Sequence, residues 1–277
     1  MPSNYHTHSI YCDGRDAPVE MAEKAFSLGF AALGFSGHKD PAFSSCGMTP
    51  EKEAAYRQAV TALKKAYAGR MEVYCGIEQD ILAGPRDPWY DYAIGSVHWI
   101  EKDGVRLSID WKAEKARSNI EEAFQGDPYA YAAAYFETVA RVKEKTGCDI
   151  IGHFDLLTKF EDQCAFFDQE HPRYRAAVFS ALDALCEPGT VFEINTGAMS
   201  RGYRSSPYPA PWILKELKQR RCAVMINSDC HDRQKLDLGF DVAARLAAQA
   251  GFNCCIEIRK GQFTEIGLND FFSRTSA

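Results

Sequence analysis

The feature that most constrains this chain is a repeated unit, an apolar run that ends on histidine or a carboxylate and is followed by a helical segment. Residues 4–8 hold His6 and His8, residues 31–36 lead into Gly37-His38, and residues 71–77 end in Glu78. Residues 92–97 end in His98, residues 148–152 in His153, and residues 222–226 lead to Asp229 and His231. Residues 190–195 and 253–258 are further strand-like runs. Between the runs, residues 16–28, 49–67, 127–142, 176–185, 211–217 and 238–250 carry helical periodicity or helix-start signals. Strand and helix in alternation are the signature of parallel βα units. Strands of a parallel barrel all point the same way, so their C-terminal ends meet on one face, where active sites of that architecture sit.

The 277 residues suit a single α/β barrel unit over 1–277, with an excursion at about 99–126 where the regular beat breaks and no clear periodicity is visible. No repeat, linker or low-complexity segment marks a boundary. The net charge of −6 argues against a nucleic-acid binder. No apolar stretch approaches the roughly 20 residues that span a bilayer. The start of the chain has neither the basic nor the apolar region of an export signal. Ten cysteines include no CxxC, and many lie in apolar segments, as expected of free thiols in a reducing cytoplasm.

Six of the seven histidines (His6, His8, His38, His98, His153 and His231) fall at or just beyond strand ends. Glu78 and Asp229 hold equivalent positions, and Asp13 sits in the loop after the first strand. Side chains alternate along a strand, so Asp229 and His231 face one way and Cys230 the other. A proton relay or pH sensor needs one or two histidines. Imidazole with carboxylate is the usual donor set for zinc, manganese and iron, and nine such groups hold two or three divalent ions. A multinuclear site without thiolates points to hydrolysis. Arg201 and Arg204, in the loop after residues 190–195, are suited to phosphate oxygens through paired donors. His171 is the exception, in a polar stretch that reads as surface or substrate loop.

The motifs His6-Thr7-His8, Asp13, Gly37-His38, Gly76-Ile77-Glu78, Gly95-Ser96-Val97-His98, Gly152-His153-Phe154-Asp155 and Ser228-Asp229-Cys230-His231 resemble those of the PHP (polymerase and histidinol phosphatase) superfamily. The resemblance runs from residue 4 to residue 240, and Glu193-Ile194-Asn195-Thr196 with Arg201-Gly202-Tyr203-Arg204 is similar to the histidinol-phosphatase branch. It implies a distorted seven-stranded (βα) TIM-like barrel with a trinuclear metal site. By the resemblance, His6, His8, Glu78 and Asp229 hold the first ion. Glu78 bridges to a second held by His98 and His153, and Asp13, His38 and His231 hold the third.

The implied reaction is hydrolysis of L-histidinol phosphate to L-histidinol and phosphate, in histidine biosynthesis. A metal-bound hydroxide would attack phosphorus, with Asp229 positioning the water. Arg201 and Arg204 would neutralise the phosphate, and Lys159 would assist. Asp80 and Asp155 are open to two roles, meeting the substrate amine or supporting the ligand histidines. Two other functions fit the same motifs: a phosphoesterase of the superfamily acting on a nucleotide, sugar phosphate or phosphotyrosine, and a non-catalytic metal-binding module.

Overall fold

The computed structural model describes residues 2–268 and builds two parallel sheets from the apolar runs. One sheet orders β1 (Ser3–Asn4), β2 (Ala32–Phe35) and β4 (Glu72–Cys75). The other orders β11 (Ala223–Asn227), β10 (Val191–Asn195), β9 (Ile150–Ile151), β6 (Ala93–Ser96), β5 (Ile77–Asp80) and β3 (His38–Lys39). Between strands run helices such as Pro18–Ser27, Pro50–Ala66, Pro128–Val139, Pro172–Leu185, Pro211–Gln219 and Phe240–Gln249. Five of these open on proline, whose missing N–H costs nothing in the first turn.

Two runs that read as single strands are each interrupted. The chain leaves the first sheet at the end of β2 and of β4, and enters the second as β3 and β5. His38 therefore opens a second short strand and Glu78 lies inside one, rather than each capping the run before it. The break at Gly76 has a steric cause. A Cβ there would lie 2.2 Å from Cζ of Tyr92, so only glycine lets that ring cross the strand. The Tyr92 hydroxyl, just ahead of β6, donates to the carbonyls of Tyr5 and Phe35, at the ends of β1 and β2.

Backbone hydrogen bonds continue past the strand ends and, at His8, join the two sheets. Ser36 N donates to Thr7 O (3.0 Å), Glu78 N to Gly37 O (3.2 Å) and His8 N to Cys230 O (2.9 Å). Residues 6–8 thus run between the end of β2 and the segment after β11, with Thr7 bridged in parallel to Cys230.

Alternation along the strands sorts the core into two layers. Phe192, Ile194, Val224 and Ile226 join the helices in the larger cluster. Val191 and Met225 turn the other way, into a plug with Tyr5, Tyr74, Tyr92, Ile94, Ile150, Ile256 and Ile258. The last two come from β12 (Cys254–Arg259), which pairs with β13 (Gln262–Gly267) in an antiparallel hairpin rather than ending the chain as a lone strand. Lys260 (φ 51°) and Gly261 (φ 73°) make its tight turn, and the Tyr5 hydroxyl donates to Ile258 O at 2.8 Å.

The excursion is structured. β7 (Trp99–Lys102) and β8 (Val105–Ser108) form an antiparallel hairpin, followed by the short helix Ala113–Ser118 and a π-helical turn Asn119–Ala123. Its turn is Asp103-Gly104, both at positive φ (50° and 78°), a strong hairpin signal that mixed charge in the flanking strands conceals. Among the described residues, no helix is long and apolar enough to cross a membrane.

Candidate metal centre

Glu78 is the hub of the polar ends of these strands. Its Oε2 lies 3.2 Å from His6 Nε2, 3.5 Å from His8 Nε2 and 2.9 Å from His38 Nδ1. Its Oε1 lies 2.9 Å from His153 Nε2 and 3.4 Å from His98 Nε2. Asp229 Oδ1 stands 3.2 Å from His8 Nε2 and 3.7 Å from His6 Nε2. Asp13 Oδ1 stands 3.2 Å from His231 Nε2 and 3.6 Å from His38 Nε2. Asp229 has a left-handed backbone (φ 46°), which turns the chain just past β11 while Cys230 stays buried in its bridge to Thr7.

Buried polar atoms are nearly always hydrogen-bonded. Here His6 Nε2, His8 Nε2, His38 Nδ1 and Glu78 Oε2 are buried, close together and without a hydrogen-bond partner. Four unmet donor atoms aimed at shared space fit divalent cations. Three overlapping sets have their ligand atoms within 4.8 Å of one another: His8, Asp13, His38 and His231; His6, His8 and Asp229; His38, Glu78 and His98. His8 and His38 each fall in two sets, so the ions would share a continuous shell.

Charge in the cluster is strongly coupled. Burial opposes ionisation of Glu78, yet His38, His6 and His98 hold it well below the usual carboxylate range. Asp229 is likewise buried and is held down by Arg201 and His6. Burial also opposes protonation of His6 and His38, but the surrounding carboxylates keep both well above the ordinary value, and His98 is raised to about 10. His8 goes the other way, to about 3, because burial is reinforced by His231 and His38.

A cation entering this cluster must displace protons from His6, His38 and His98. Metal affinity should therefore rise with pH through neutrality, weakening about tenfold per pH unit downward for each proton displaced. Calorimetric titration of the metal-free protein with zinc, in buffers of different ionisation enthalpy, should show proton release at pH 7. Affinity independent of pH would refute the charge assignment.

A layer behind the donors fixes their orientation. Glu193, fully buried in β10, places Oε1 2.6 Å from His6 Nδ1 and accepts from Asn227 Nδ2 (3.0 Å). Its Oε2 accepts from His153 N (3.0 Å) and Asn195 Nδ2 (2.9 Å). Asp80 is fully buried, accepts from His98 N at 2.9 Å and lies 3.3 Å from His98 Nδ1, so it supports a histidine. Asp155 is fully buried and accepts from Ala210 N at 3.0 Å, at the start of helix Pro211–Gln219.

The PHP domain family matches residues 4–197 of this sequence. The chain belongs to the PHP domain family. The histidinol-phosphatase of Bacillus subtilis (strain 168) is 28% identical over 270 residues, covering 87% of this chain and 97% of that protein. The solved structure of histidinol phosphate phosphatase from Lactococcus lactis subsp. lactis, complexed with zinc, L-histidinol and phosphate, has a TM-score of 0.71 at 19% identity. That match covers 95% of this chain and 98% of the Lactococcus chain, and it shows a shared fold.

Above the candidate metal centre of this PHP domain lies a cavity of about 610 Å³. Arg201, at the end of the short helix Gly197–Ser200, lines it and donates to Asp229 Oδ2 (3.1 Å) and Asp229 O (3.0 Å). Arg204 does not line the cavity. Gly202 (φ 75°) turns the chain between the two arginines, and Arg204 is buried over the Tyr208 ring at 4.6 Å, donating to Thr158 and to Ser206 Oγ (3.3 Å). Lys159 lines the cavity and donates to Asp110 through its carbonyl (2.8 Å) and Oδ2 (2.9 Å). His171 lies elsewhere. It stacks on Tyr129 with centroids 3.8 Å apart, and its Nδ1 accepts from Arg173 N (3.2 Å) as the cap of helix Pro172–Leu185.

Asp110 and Glu193 escape a reading of strand ends. Asp110 comes from the excursion, and Glu193 sits inside a strand. Only the presence of a carboxylate between Phe192 and Ile194, in an otherwise buried run, signals that a partner must face it.

Proposed function

We propose that this PHP domain is a metal-dependent phosphomonoesterase that hydrolyses L-histidinol phosphate to L-histidinol and phosphate, a step of histidine biosynthesis. The observation that carries the reading is the convergence of unmet nitrogen and oxygen donors under a cavity walled by Arg201 and Lys159. The full-length likeness to a protein named histidinol-phosphatase directs the choice of substrate. Divalent ions at such a centre supply Lewis acidity and neutralise phosphoryl charge.

His6, His8, Glu78 and Asp229 would hold one ion, His98 and His153 with Glu78 a second, and Asp13, His38 and His231 a third. Zinc, manganese and iron all suit the donors, and elemental analysis of purified protein would identify them. Asp229, kept ionised, is placed to accept a hydrogen bond from the attacking water. Arg201 and Lys159 face the phosphate. Arg204 supports that wall through Thr158, the neighbour of Lys159, and its charge adds to the field on the phosphate.

We also read the parallel segments as one distorted seven-stranded TIM-like barrel in a single 1–277 unit. The hydrogen bonds that carry residues 6–8 between β2 and the segment after β11 support that reading. Ten free thiols support a reducing cytoplasm.

A panel of phosphomonoesters tests the substrate. kcat/KM for L-histidinol phosphate should exceed that for p-nitrophenyl phosphate by about 100-fold, the worth of one strong charged hydrogen bond. A ratio near unity would reject histidinol phosphate as substrate. Within the arginine loop, Arg201→Ala should cost about 1.5–3 kcal/mol in kcat/KM, the range for a hydrogen bond to a charged group. Kinetics matching the parent would remove Arg201 from the phosphate.

A further inference from the structure

A histidine that gives Nε2 to a cation carries its proton on Nδ1, and the group accepting that proton sets the orientation of the ring. Behind His6 stands the Glu193 carboxylate at 2.6 Å, and behind His98 the Asp80 carboxylate at 3.3 Å. His8 is different. Its Nε2 is buried without a hydrogen-bond partner, beside Glu78 and Asp229. Its Nδ1 faces the Cys12 sulfur at 3.5 Å, a length suited to the larger sulfur atom. Asp13 Oδ1 is 3.8 Å from the same nitrogen, too long for a hydrogen bond, and stands closer to His231 Nε2 at 3.2 Å.

The thiol is held in place by its own loop. Its S–H donates to Ser9 O at 3.5 Å, and the backbone N–H groups of Cys12 and Gly14 donate to the same carbonyl at 3.0 Å each. A Cβ on Gly14 would lie 2.5 Å from the carbonyl carbon of His8, so only glycine lets the loop fold back this closely. Arg15 N then donates to His231 O at 2.9 Å. On its faces, the His8 ring stacks on His231, with centroids 4.1 Å apart and 18° between planes, and lies 4.3 Å from His38. Stacking fixes the plane of the ring. A half-turn about Cβ–Cγ would keep that plane and put carbon where Nε2 now points, and the contact between Nδ1 and sulfur tells the two apart.

We propose that Cys12 is a positioning residue for the metal centre: its sulfur accepts from His8 Nδ1–H and keeps His8 Nε2 aimed at the ions. His8 belongs to two of the three donor sets, so this one thiol steers the seating of two ions. The proposal rests on the metal-centre reading above and is independent of the substrate. Sulfur is a weak, neutral acceptor, so it orients His8 while adding less to its basicity than the Glu193 carboxylate adds to that of His6.

Zinc binding to the full chain, measured against a competing chelator, tests this in the parent, Cys12→Ala and Cys12→Ser, with the Nδ1–H proton of His8 followed by NMR in the zinc-loaded proteins. Cys12→Ala should weaken zinc binding about tenfold, the low end for losing a group that orients a ligand, and should shift the His8 Nδ1–H resonance. Cys12→Ser keeps an acceptor and should recover part of the affinity. A parent that takes up no zinc would overturn the metal-centre reading itself. A parent that binds zinc, with the same affinity in Cys12→Ala, would overturn the role of Cys12 alone. Equal loss in both variants with the His8 resonance unmoved would make Cys12 a packing residue and also overturn the proposal. If Cys12→Ala does not fold, Cys12→Ser decides, because a His8 resonance at its parental position there refutes the contact.

Discussion

Glu78→Gln should reduce kcat by about a thousandfold and strip the protein of most of its bound metal, since the site is asked to supply several kcal/mol of charge stabilisation. Five imidazole nitrogens lie within 3.5 Å of this one carboxylate. The amide keeps the volume but loses the charge that offsets its neighbours, and its NH2 group points donors where lone pairs were needed. Elemental analysis beside steady-state kinetics checks both parts. A variant that kept full metal content and parental kcat would remove Glu78 from the centre.

The second large effect is expected at Glu193. Glu193→Ala leaves the His6 Nδ1, His153 N, Asn195 Nδ2 and Asn227 Nδ2 groups facing a buried void. Removing one partner from a buried charged network costs about 3–5 kcal/mol. Metal affinity should also fall about 10- to 100-fold, the usual effect of losing a group that orients a ligand. Thermal unfolding of the metal-free form should fall by roughly 10 °C.

The pH dependence follows from the sign of the shift. Burial would raise the Glu193 pKa, but His6 overrides it and the folded value is depressed. Its contribution is therefore complete above the ordinary carboxyl range and is lost as pH falls through the depressed value. The alanine variant should lose that acid-side limb. Parental stability at neutral pH would show that the network has another anchor.

What was legible in the sequence was the part governed by periodicity. His98, His153 and Asp229 follow short buried runs, so the strand ends and the shared face can be read from hydrophobic pattern alone. Interruptions in the strands could not be read that way, because the cause of the break at Gly76 is a ring from Tyr92, distant in sequence. The two arginines look equivalent in Arg201-Gly202-Tyr203-Arg204, and only the turn at Gly202 separates the cavity-lining one from the one behind it. Asp110 lies in a loop, where no period marks which way a carboxylate faces. The Asp103-Gly104 turn was readable in principle. Its strands are charged and only partly buried, so composition outweighed the turn signal.

The pairing of residues 6–8 with the segment after β11 has a consequence for how the protein is made. His6 and Asp229 stand 3.7 Å apart, although one lies ahead of β2 and the other beyond β11 and is synthesised much later. Asn4 Nδ2 and Ser228 Oγ join across the same seam at 2.5 Å. On the proposed ligand set, no complete metal shell exists on a nascent chain until residue 231 has emerged, so ion capture would be a late event in biogenesis. On the same proposed ligand set, bound ions would staple residues 6–8 to the segment after β11. Chelation should free this seam first, which protease nicking of residues 1–16 in the chelated protein would reveal.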